Sequence, residues 1–313
     1  MGNNRRDFLK QFGYLSAGAL LMPGFAKAFG NQNKTDLFFD ISLAQWSLHQ
    51  ALQSGKLNHL DFPSTAKNEF GIEAVEYVNQ FFADKAKDKS YLNEMNSRCN
   101  DLGVRQLLIM VDREGGLAVK DDTERAEAIE NHYKWVEAAN HLGCHSIRVN
   151  AFGEGTREET KQAAVDGLGR LAEFAKDYDI NVLVENHGGY SSDGKWLSGV
   201  MKQVDMDNCG TLPDFGNFCI RRDQDSDCKE EYDIYKGVKE LMPYAKGVSA
   251  KSYDFDKEGY ETTIDFAKML KIIKDSGFTG YIGIEYEGDE LSESEGIMAT
   301  KQLLMRVGKE LTK

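Results

Sequence analysis

The sequence predicts an α/β protein built as a (β/α)8 TIM barrel in a single domain. Short apolar runs alternate with amphipathic segments eight times along the chain, and a glycine closes several of the amphipathic segments. Polar side chains stand repeatedly where the apolar runs end. Strands separated by helices imply parallel pairing with right-handed crossovers, and a count of eight favours a closed barrel over an open sheet.

The repeating units follow one another without a Pro-rich or Ser-rich linker, and the chain has only 4 prolines. Glycines that end predicted helices occur at positions 71, 103, 143 and 277, as C-capping requires. We predict strands at 41–47, 72–77, 104–111, 145–150, 180–187, 209–214, 245–251 and 281–287. We predict helices at 63–70, 91–102, 123–142, 158–178, 196–204, 230–242, 264–275 and 295–311.

The first 28 residues have the features of a twin-arginine signal peptide. Arg5 and Arg6 precede a weakly apolar stretch at 12–22, and small residues surround a cleavage position near Ala28. The apolar stretch is too short to span a bilayer. We therefore expect an exported, periplasmic protein, with a linker at 29–35 and the barrel domain at 36–313.

The net charge of the chain limits the classes of partner that it can bind. The formal net charge is −13, and removal of the signal peptide would take away four basic residues and one acidic residue. An acidic surface repels polyanions, so we expect no nucleic-acid partner. We also expect no membrane insertion of the mature chain, and no sequence feature predicts a particular oligomeric state.

The five cysteines are scattered and show no CxxC spacing. They indicate neither a disulfide framework nor a zinc knuckle, and we expect most of them to be buried free thiols.

The carboxyl ends of the predicted strands carry the candidate chemistry, because the active site of such a barrel lies at that face. Several carboxylates crowded there would repel one another unless a cation lay between them. We therefore infer a divalent metal held mainly by oxygen ligands, most consistent with Mn²⁺, Mg²⁺ or Co²⁺ and with Zn²⁺ as a further candidate. The polar residues at these strand ends are Glu76, Arg148, Asn150, Glu185, His187, Asp214, Ser249, Lys251, Glu285 and Glu287.

Three motifs at the ends of the fifth, sixth and eighth strands give the chain a resemblance to a known family. They read VENH at 184–187, PDFGN at 213–217 and GIEYEG at 283–288. With these motifs in this order, residues 36–311 resemble the xylose-isomerase-like sugar isomerases and epimerases. Endonuclease-IV-type DNA repair enzymes share that barrel.

The resemblance implies metal ligands on strands five, six, seven and eight. In the family these are usually Glu, Asp, His and Glu, which places Glu185, Asp214 and Glu285 as ligands here. The chain departs from the pattern at strand seven, where Ser249 stands two residues before Lys251. His187, on the same face of its strand as Glu185, or a water molecule would then complete the ligand set.

The resemblance also implies a reaction. A metal that chelates a sugar carbonyl and the neighbouring hydroxyl acidifies the carbon-bound proton between them. Glu185 and Glu285 would remove and return this proton, which gives epimerisation or aldose–ketose isomerisation of an unphosphorylated sugar or keto-sugar. A leaving group one carbon further would instead give a 3-keto-glycoside lyase or hydrolase.

One other class stays open at this point, and the sequence argues against a third. The strand-seven serine also fits a carbohydrate-binding barrel without catalysis, whereas cleavage of damaged DNA would require more histidine ligands and a basic groove.

The remaining strand-end residues are candidates for substrate binding. Arg148 and Asn150 would bind sugar hydroxyls or an anion, or else form an internal salt bridge that balances the carboxylates. For Lys251, substrate binding and charge balance are both open. Glu76 is either a substrate contact or a structural residue. Trp46 and Phe218 would offer apolar faces to a sugar ring or pack in the core.

Overall fold

The computed structural model describes residues 37–312. The predicted signal peptide at 1–28 and the linker at 29–35 lie outside these residues. Within them, eight parallel strands alternate with helices, and the predicted (β/α)8 barrel is confirmed. No helix in this part of the chain is long and apolar enough to cross a membrane.

The elements follow the chain in nearly the predicted order. Residues 37–312 contain ten strands, of which β7 and β8 form a separate hairpin: β1 Asp40–Ala44, β2 Ala74–Val78, β3 Arg105–Met110, β4 Ser146–Val149, β5 Asn181–Glu185, β6 Cys209–Leu212, β7 Cys219–Arg222, β8 Cys228–Glu231, β9 Val248–Ser252 and β10 Tyr281–Tyr286. The α-helices are α1 His49–Gln53, α2 Phe62–Phe70, α3 Lys89–Leu102, α4 Asp122–Leu142, α5 Arg157–Lys176, α6 Gly194–Val204, α7 Ile234–Leu241, α8 Phe266–Asp275 and α9 Glu293–Thr312. The predicted glycine caps at 71, 103 and 143 end their helices with positive φ.

The eight parallel strands lie in the order β6-β5-β4-β3-β2-β1-β10-β9. The barrel closes between β6 and β9 through backbone hydrogen bonds around Ser249. Its N–H donates to Pro213 O at 2.9 Å, and its carbonyl accepts from Phe215 N at 3.1 Å. The closing seam therefore runs through the position where the sequence departs from the family's ligand pattern.

Strand alternation decides which side chains enter the barrel. On β5, Val182 and Val184 pack outward with the helices, whereas Leu183 joins a small apolar cluster inside the barrel with Leu108 and Leu212. Glu185 follows two residues after Leu183 and therefore points inward as well. The same alternation directs the strand-end residues of β2, β4, β9 and β10 toward the barrel axis.

The segment between β6 and α7 differs from the prediction. A helix was expected from residue 230, but β7 and β8 pair as an antiparallel hairpin at 219–231, and the helix begins at Ile234. The hairpin residues are mostly exposed and do not alternate between apolar and polar, so no strand pattern marks them.

The hairpin also corrects the cysteine expectation. Cys219 and Cys228 form a disulfide with a Cα–Cα distance of 5.7 Å. Cys99, Cys144 and Cys209 are buried free thiols, as expected. The antiparallel hairpin brings these two cysteines together, which cysteine spacing alone did not indicate.

His59, packed between helix and barrel, predicts a pH dependence of stability. Burial lowers its pKa from 6.5 to about 3, and Gln45 Nε2 lies 2.9 Å from its Nδ1. The folded state therefore keeps His59 neutral while the unfolded chain binds a proton near pH 6.5. This stabilisation is present above pH 6.5 and is lost as pH falls toward 3.

We expect this group to cost about 2 kcal/mol of unfolding free energy between pH 7 and pH 5. Urea unfolding of the wild type and His59→Phe at both pH values measures it. The variant should lose about that much less stability on acidification, whereas His141→Gln, at the surface, should behave as the wild type. An unchanged pH dependence in His59→Phe would contradict the assignment.

Candidate active site

Three buried carboxylates meet at the carboxyl ends of β5, β6 and β10. Glu185 ends β5, Asp214 follows β6, and Glu285 lies near the end of β10. Each offers a carboxylate oxygen, and these atoms all lie within 4.8 Å of one another. Glu185 and Asp214 have no exposed surface, and Glu285 has 3%. We call these three residues the carboxylate triad.

Burial dominates the titration of Glu185 and Asp214. Desolvation raises the pKa of Glu185 to about 7, although the nearby Arg148 lowers it. Desolvation likewise raises the pKa of Asp214 to about 7, against the opposing effect of Lys251. Two neighbouring carboxyls whose pKa values lie near neutrality would release their protons when a cation binds between them.

Arg148 pairs with the triad from β4. Its Nε lies 2.7 Å from Glu185 Oε2 and its Nη1 lies 2.9 Å from Asp112 Oδ1. Asn150 Nδ2 donates to the same Asp112 oxygen at 2.7 Å. Burial would raise the pKa of Asp112, but Arg148 and Asn150 hold it at about 2. Asp112 therefore stays ionised and fixes both side chains.

Lys251, on β9, forms an ion pair with the triad from the opposite side to Arg148. Its side chain is almost fully buried, and its Nζ lies 3.0 Å from Glu285 Oε1 and 2.7 Å from Glu287 Oε2. Burial lowers the pKa of Lys251, but the surrounding carboxylates raise it by more than burial lowers it. The lysine therefore stays protonated. Trp46 Nε1 donates to Glu287 Oε1, and the Trp46 ring stacks on His49 at 4.8 Å.

Ser249 occupies the position where the family usually has a histidine ligand. Its Oγ donates to Asp214 Oδ2 at 2.6 Å and lies 3.3 Å from Glu285 Oε2. The hydroxyl thus joins two members of the triad by hydrogen bonds.

His187 does not take the histidine's place. Among the described residues, the group of close ligand atoms consists of the triad without His187. The His187 Nδ1 instead lies 2.9 Å from Asn150 Oδ1. The two predicted binding residues thus contact each other, and the structure does not bring His187 to the triad.

Glu76 lies inside the barrel on β2. Ser42 Oγ donates to its Oε1 at 2.6 Å, while its Oε2 is buried without a hydrogen-bond partner. A Cβ added at Gly283 would lie 2.7 Å from the Glu76 carboxylate, so the glycine makes room for this side chain beside β10. Burial raises the pKa of Glu76 to about 7. Phe218, in contrast, is fully buried, so of the two roles left open for it the structure shows packing in the core.

Two residues at the site were not predicted. Asp112 lies two residues beyond the end of β3, and the sequence signal was a lone carboxylate after an apolar strand. Asn217, in the PDFGN motif, donates its Nδ2 to Glu185 Oε1 at 2.8 Å. Its backbone N–H also donates to Asp214 Oδ1 at 2.8 Å. The turn after β6 therefore orients two members of the triad.

The triad fits a divalent cation. Glu185 Oε2 is buried and makes no hydrogen bond in spite of its close approach to Arg148 Nε. Three converging carboxylates form a hard oxygen donor set, which suits Mg²⁺ or Mn²⁺ and also admits Zn²⁺. Three protein ligands leave positions open for water or substrate oxygens.

This fit predicts stabilisation by metal. At a concentration 100-fold above its dissociation constant, a cation bound only by the folded state stabilises it by about 2.7 kcal/mol. We expect Mn²⁺ or Mg²⁺ to raise the melting temperature of metal-stripped protein by about 5 °C. Asp214→Asn should abolish the shift, whereas Asp289→Asn, an exposed residue after β10, should keep it. An equal shift in wild type and Asp214→Asn would place the cation elsewhere.

Solved structures similar to this chain include a sugar epimerase and a zinc-containing protein. The IolI protein with a bound zinc atom has a TM-score of 0.65 and 16% identity, with 87% of this chain and 99% of that chain covered. An L-ribulose 3-epimerase has a TM-score of 0.65 and 15% identity over 88% of this chain and 95% of its own.

A 3-keto-D-glucoside 4-epimerase from E. coli has a TM-score of 0.59 and 13% identity, with 86% and 99% coverage. At these identities the likeness shows a shared fold. No curated protein sequence matches the chain significantly. The model of the family described as "Xylose isomerase-like TIM barrel" matches residues 65–306, and the chain therefore belongs to the xylose-isomerase-like TIM barrel family.

Proposed function

We propose that this protein is a metal-dependent isomerase or epimerase of an unphosphorylated sugar or keto-sugar. The observation that carries the proposal is the carboxylate triad, with Glu185 and Glu285 brought together from β5 and β10 at the catalytic face of the barrel. The family membership and the epimerases among the similar structures support the same class of reaction.

The two glutamates are the groups proposed to move the proton. A general base is most effective when its pKa lies near the working pH, and that of Glu185 is raised to about 7. Asn217 and Arg148 hold the Glu185 carboxylate on two sides, and Lys251 and Ser249 hold Glu285. Each carboxylate therefore has a fixed orientation toward a substrate in the mouth of the barrel.

The proposed cofactor is a divalent metal ion with Glu185, Asp214 and Glu285 as its ligands. When bound, it would supply Lewis-acid polarisation of the sugar carbonyl and the adjacent hydroxyl. Ser249 keeps Asp214 oriented by donating to its Oδ2, so that Oδ2 retains a second lone pair for a ligand.

Charge supports an unphosphorylated substrate. The two buried cations of the site, Arg148 and Lys251, are already paired with two carboxylates each. A phosphate entering the mouth of the barrel would meet carboxylates, and the two cations that could bind it already pair with those carboxylates. A neutral sugar, whose hydroxyls both donate and accept hydrogen bonds, is better matched to these groups.

We propose export to the periplasm on the basis of the Arg5–Arg6 sequence. The Cys219–Cys228 disulfide supports this location, since structural disulfides persist in oxidising compartments. A fusion of residues 1–35 to a reporter that is active only after twin-arginine export tests the proposal. Loss of export in an Arg5→Lys, Arg6→Lys double variant is expected, and export that is unaffected by it would contradict the signal.

Deuterium exchange tests the proposed activity. Purified protein is incubated in deuterated buffer with ketoses, aldoses and 3-keto-glycosides, with Mn²⁺ and after removal of metal. We expect metal-dependent incorporation of deuterium beside the carbonyl of at least one sugar. Release of the aglycone without incorporation would instead favour the lyase reaction. Binding of sugars without either reaction would indicate a carbohydrate-binding barrel.

A further inference from the structure

A cavity opens beside the candidate active site. It has a volume of about 330 Å³ and lies where the loops after β3, β4 and β5 meet. This volume falls within the range of small-molecule sites, about 300–1,000 Å³. Its lining includes Gly116, Val119, Phe152, Gly188 and Tyr190.

Phe152 is the distinctive side chain of this cavity. Phe152 is 43% exposed, and within residues 37–312 only Tyr260 is another exposed large hydrophobic residue. Its backbone is nonetheless fixed, because Phe152 O accepts from Ala118 N at 2.9 Å. A Cβ at the next residue, Gly153, would lie 1.8 Å from Ala118 O, so the two loops pack as closely as backbone allows. A rigid loop thus holds an aromatic ring in solvent.

The exposed ring adjoins the residues that reach the triad. The Phe152 ring centroid lies 6.0 Å from that of His187, and His187 contacts Asn150. Arg148, two residues before Asn150, pairs with Glu185. A ligand extending from the triad past His187 would therefore meet the face of Phe152.

The chemistry of the lining favours a neutral occupant. Glu154 is the one charged residue among those that line the cavity, and it would repel a phosphate or a carboxylate. The glycines at 188 and 189 expose backbone, and a Cβ at either position would meet no atom within 4 Å. An aromatic face and open backbone lining the same cavity suit a neutral, hydroxylated ring.

We propose that this cavity is a subsite for a second sugar ring, so that the substrate is a glycoside of at least disaccharide size. The inference rests on the proposed function, because it assumes that the reacting ring lies over the triad. A monosaccharide at that place would leave Phe152 uncovered. The second ring would stack on Phe152 and contribute binding energy without taking part in the proton transfer.

Two sugars with the same reacting ring test the subsite. The probes are 3-keto-D-glucose and 3-keto-cellobiose with the keto group on its non-reducing ring. Binding is measured by calorimetry and deuterium exchange by mass spectrometry, both with Mn²⁺ present. The proteins are the wild type, Phe152→Ala, Phe152→Tyr and the control Tyr260→Ala, which removes the other exposed ring.

We expect the wild type to bind the disaccharide about 3- to 10-fold more tightly than the monosaccharide. Phe152→Ala should lose this preference with unchanged affinity for the monosaccharide, while Phe152→Tyr and Tyr260→Ala should keep it. Equal affinity of the wild type for both sugars, or a preference that survives in Phe152→Ala, would overturn the subsite. Phe152-dependent binding without exchange in either sugar would uphold the subsite and, if no other sugar of the panel exchanges, refute the proposed isomerase.

Discussion

Glu285→Gln is expected to reduce the rate of deuterium exchange into the sugar by about 10²- to 10⁴-fold. Glutamine keeps the size of the side chain but cannot accept a proton, and it is a poorer ligand for a divalent cation. The same loss is expected for Glu185→Gln, because the proposed reaction needs both carboxylates. Initial exchange rates at saturating sugar and metal measure the effect.

The matched control is Glu290→Gln, an exposed glutamate in the loop after β10. It should exchange at the rate of the wild type. Because Glu185 and Glu285 act as one unit, the double variant should be little slower than either single variant. Exchange at the wild-type rate in Glu285→Gln would refute the two-glutamate mechanism.

A loss of exchange through misfolding is separated from a loss of chemistry by sugar binding. Glu285→Gln retains Ser249 and Lys251 as neighbours, and its amide can still hydrogen-bond one of them. The variant should therefore keep a cooperative thermal transition. Retained binding with lost exchange would place the defect in proton transfer.

The positions of the triad could be predicted because strand periodicity is a local property. Val182, Leu183 and Val184 identify a buried strand, and a charged residue at its end must lie at one face of the barrel. The same reasoning placed Asp214 and Glu285. Helix ends were predictable for a similar reason, since Gly71, Gly103 and Gly143 adopt the positive φ that ends a helix.

The contacts among side chains could not be predicted, because they depend on distances across the barrel. Sequence spacing put Glu185 and His187 on one face of a strand, but β5 ends at Glu185. Beyond that residue the chain turns, and His187 meets Asn150 from β4 instead. Strand alternation does not extend past the end of a strand.

The hairpin at 219–231 was missed for another physical reason. Its residues are nearly all exposed, so no apolar side of the strands marks them. The Cys219–Cys228 bond and antiparallel pairing define this element. A pattern of buried apolar residues identifies only elements that pack against the core, and this hairpin is mostly exposed.

Lys251→Met is expected to be the most destabilising of the substitutions considered. The buried ammonium pairs with Glu285 and Glu287, and its removal leaves the buried Glu285 and the partly exposed Glu287 without their cation. Breaking a buried ion pair from one side costs about 3–5 kcal/mol. Urea unfolding in the absence of metal should show this loss in the free energy of unfolding.

Lys271→Met provides the matched control, because Lys271 also pairs with a carboxylate, at 2.7 Å from Asp275. That pair is exposed on α8, so its loss should cost less than about 1 kcal/mol. A loss of less than 1 kcal/mol in Lys251→Met as well would contradict the role of Lys251 as the balancing cation.

Metal gives this comparison a second readout. If the carboxylate triad binds a divalent cation, Mn²⁺ supplies positive charge beside Glu285 and should restore part of the stability lost in Lys251→Met. It should restore none of the stability lost in Lys271→Met, since Asp275 lies outside the triad. A larger stabilisation by Mn²⁺ in Lys251→Met than in the wild type would show that lysine and metal balance the same negative charge.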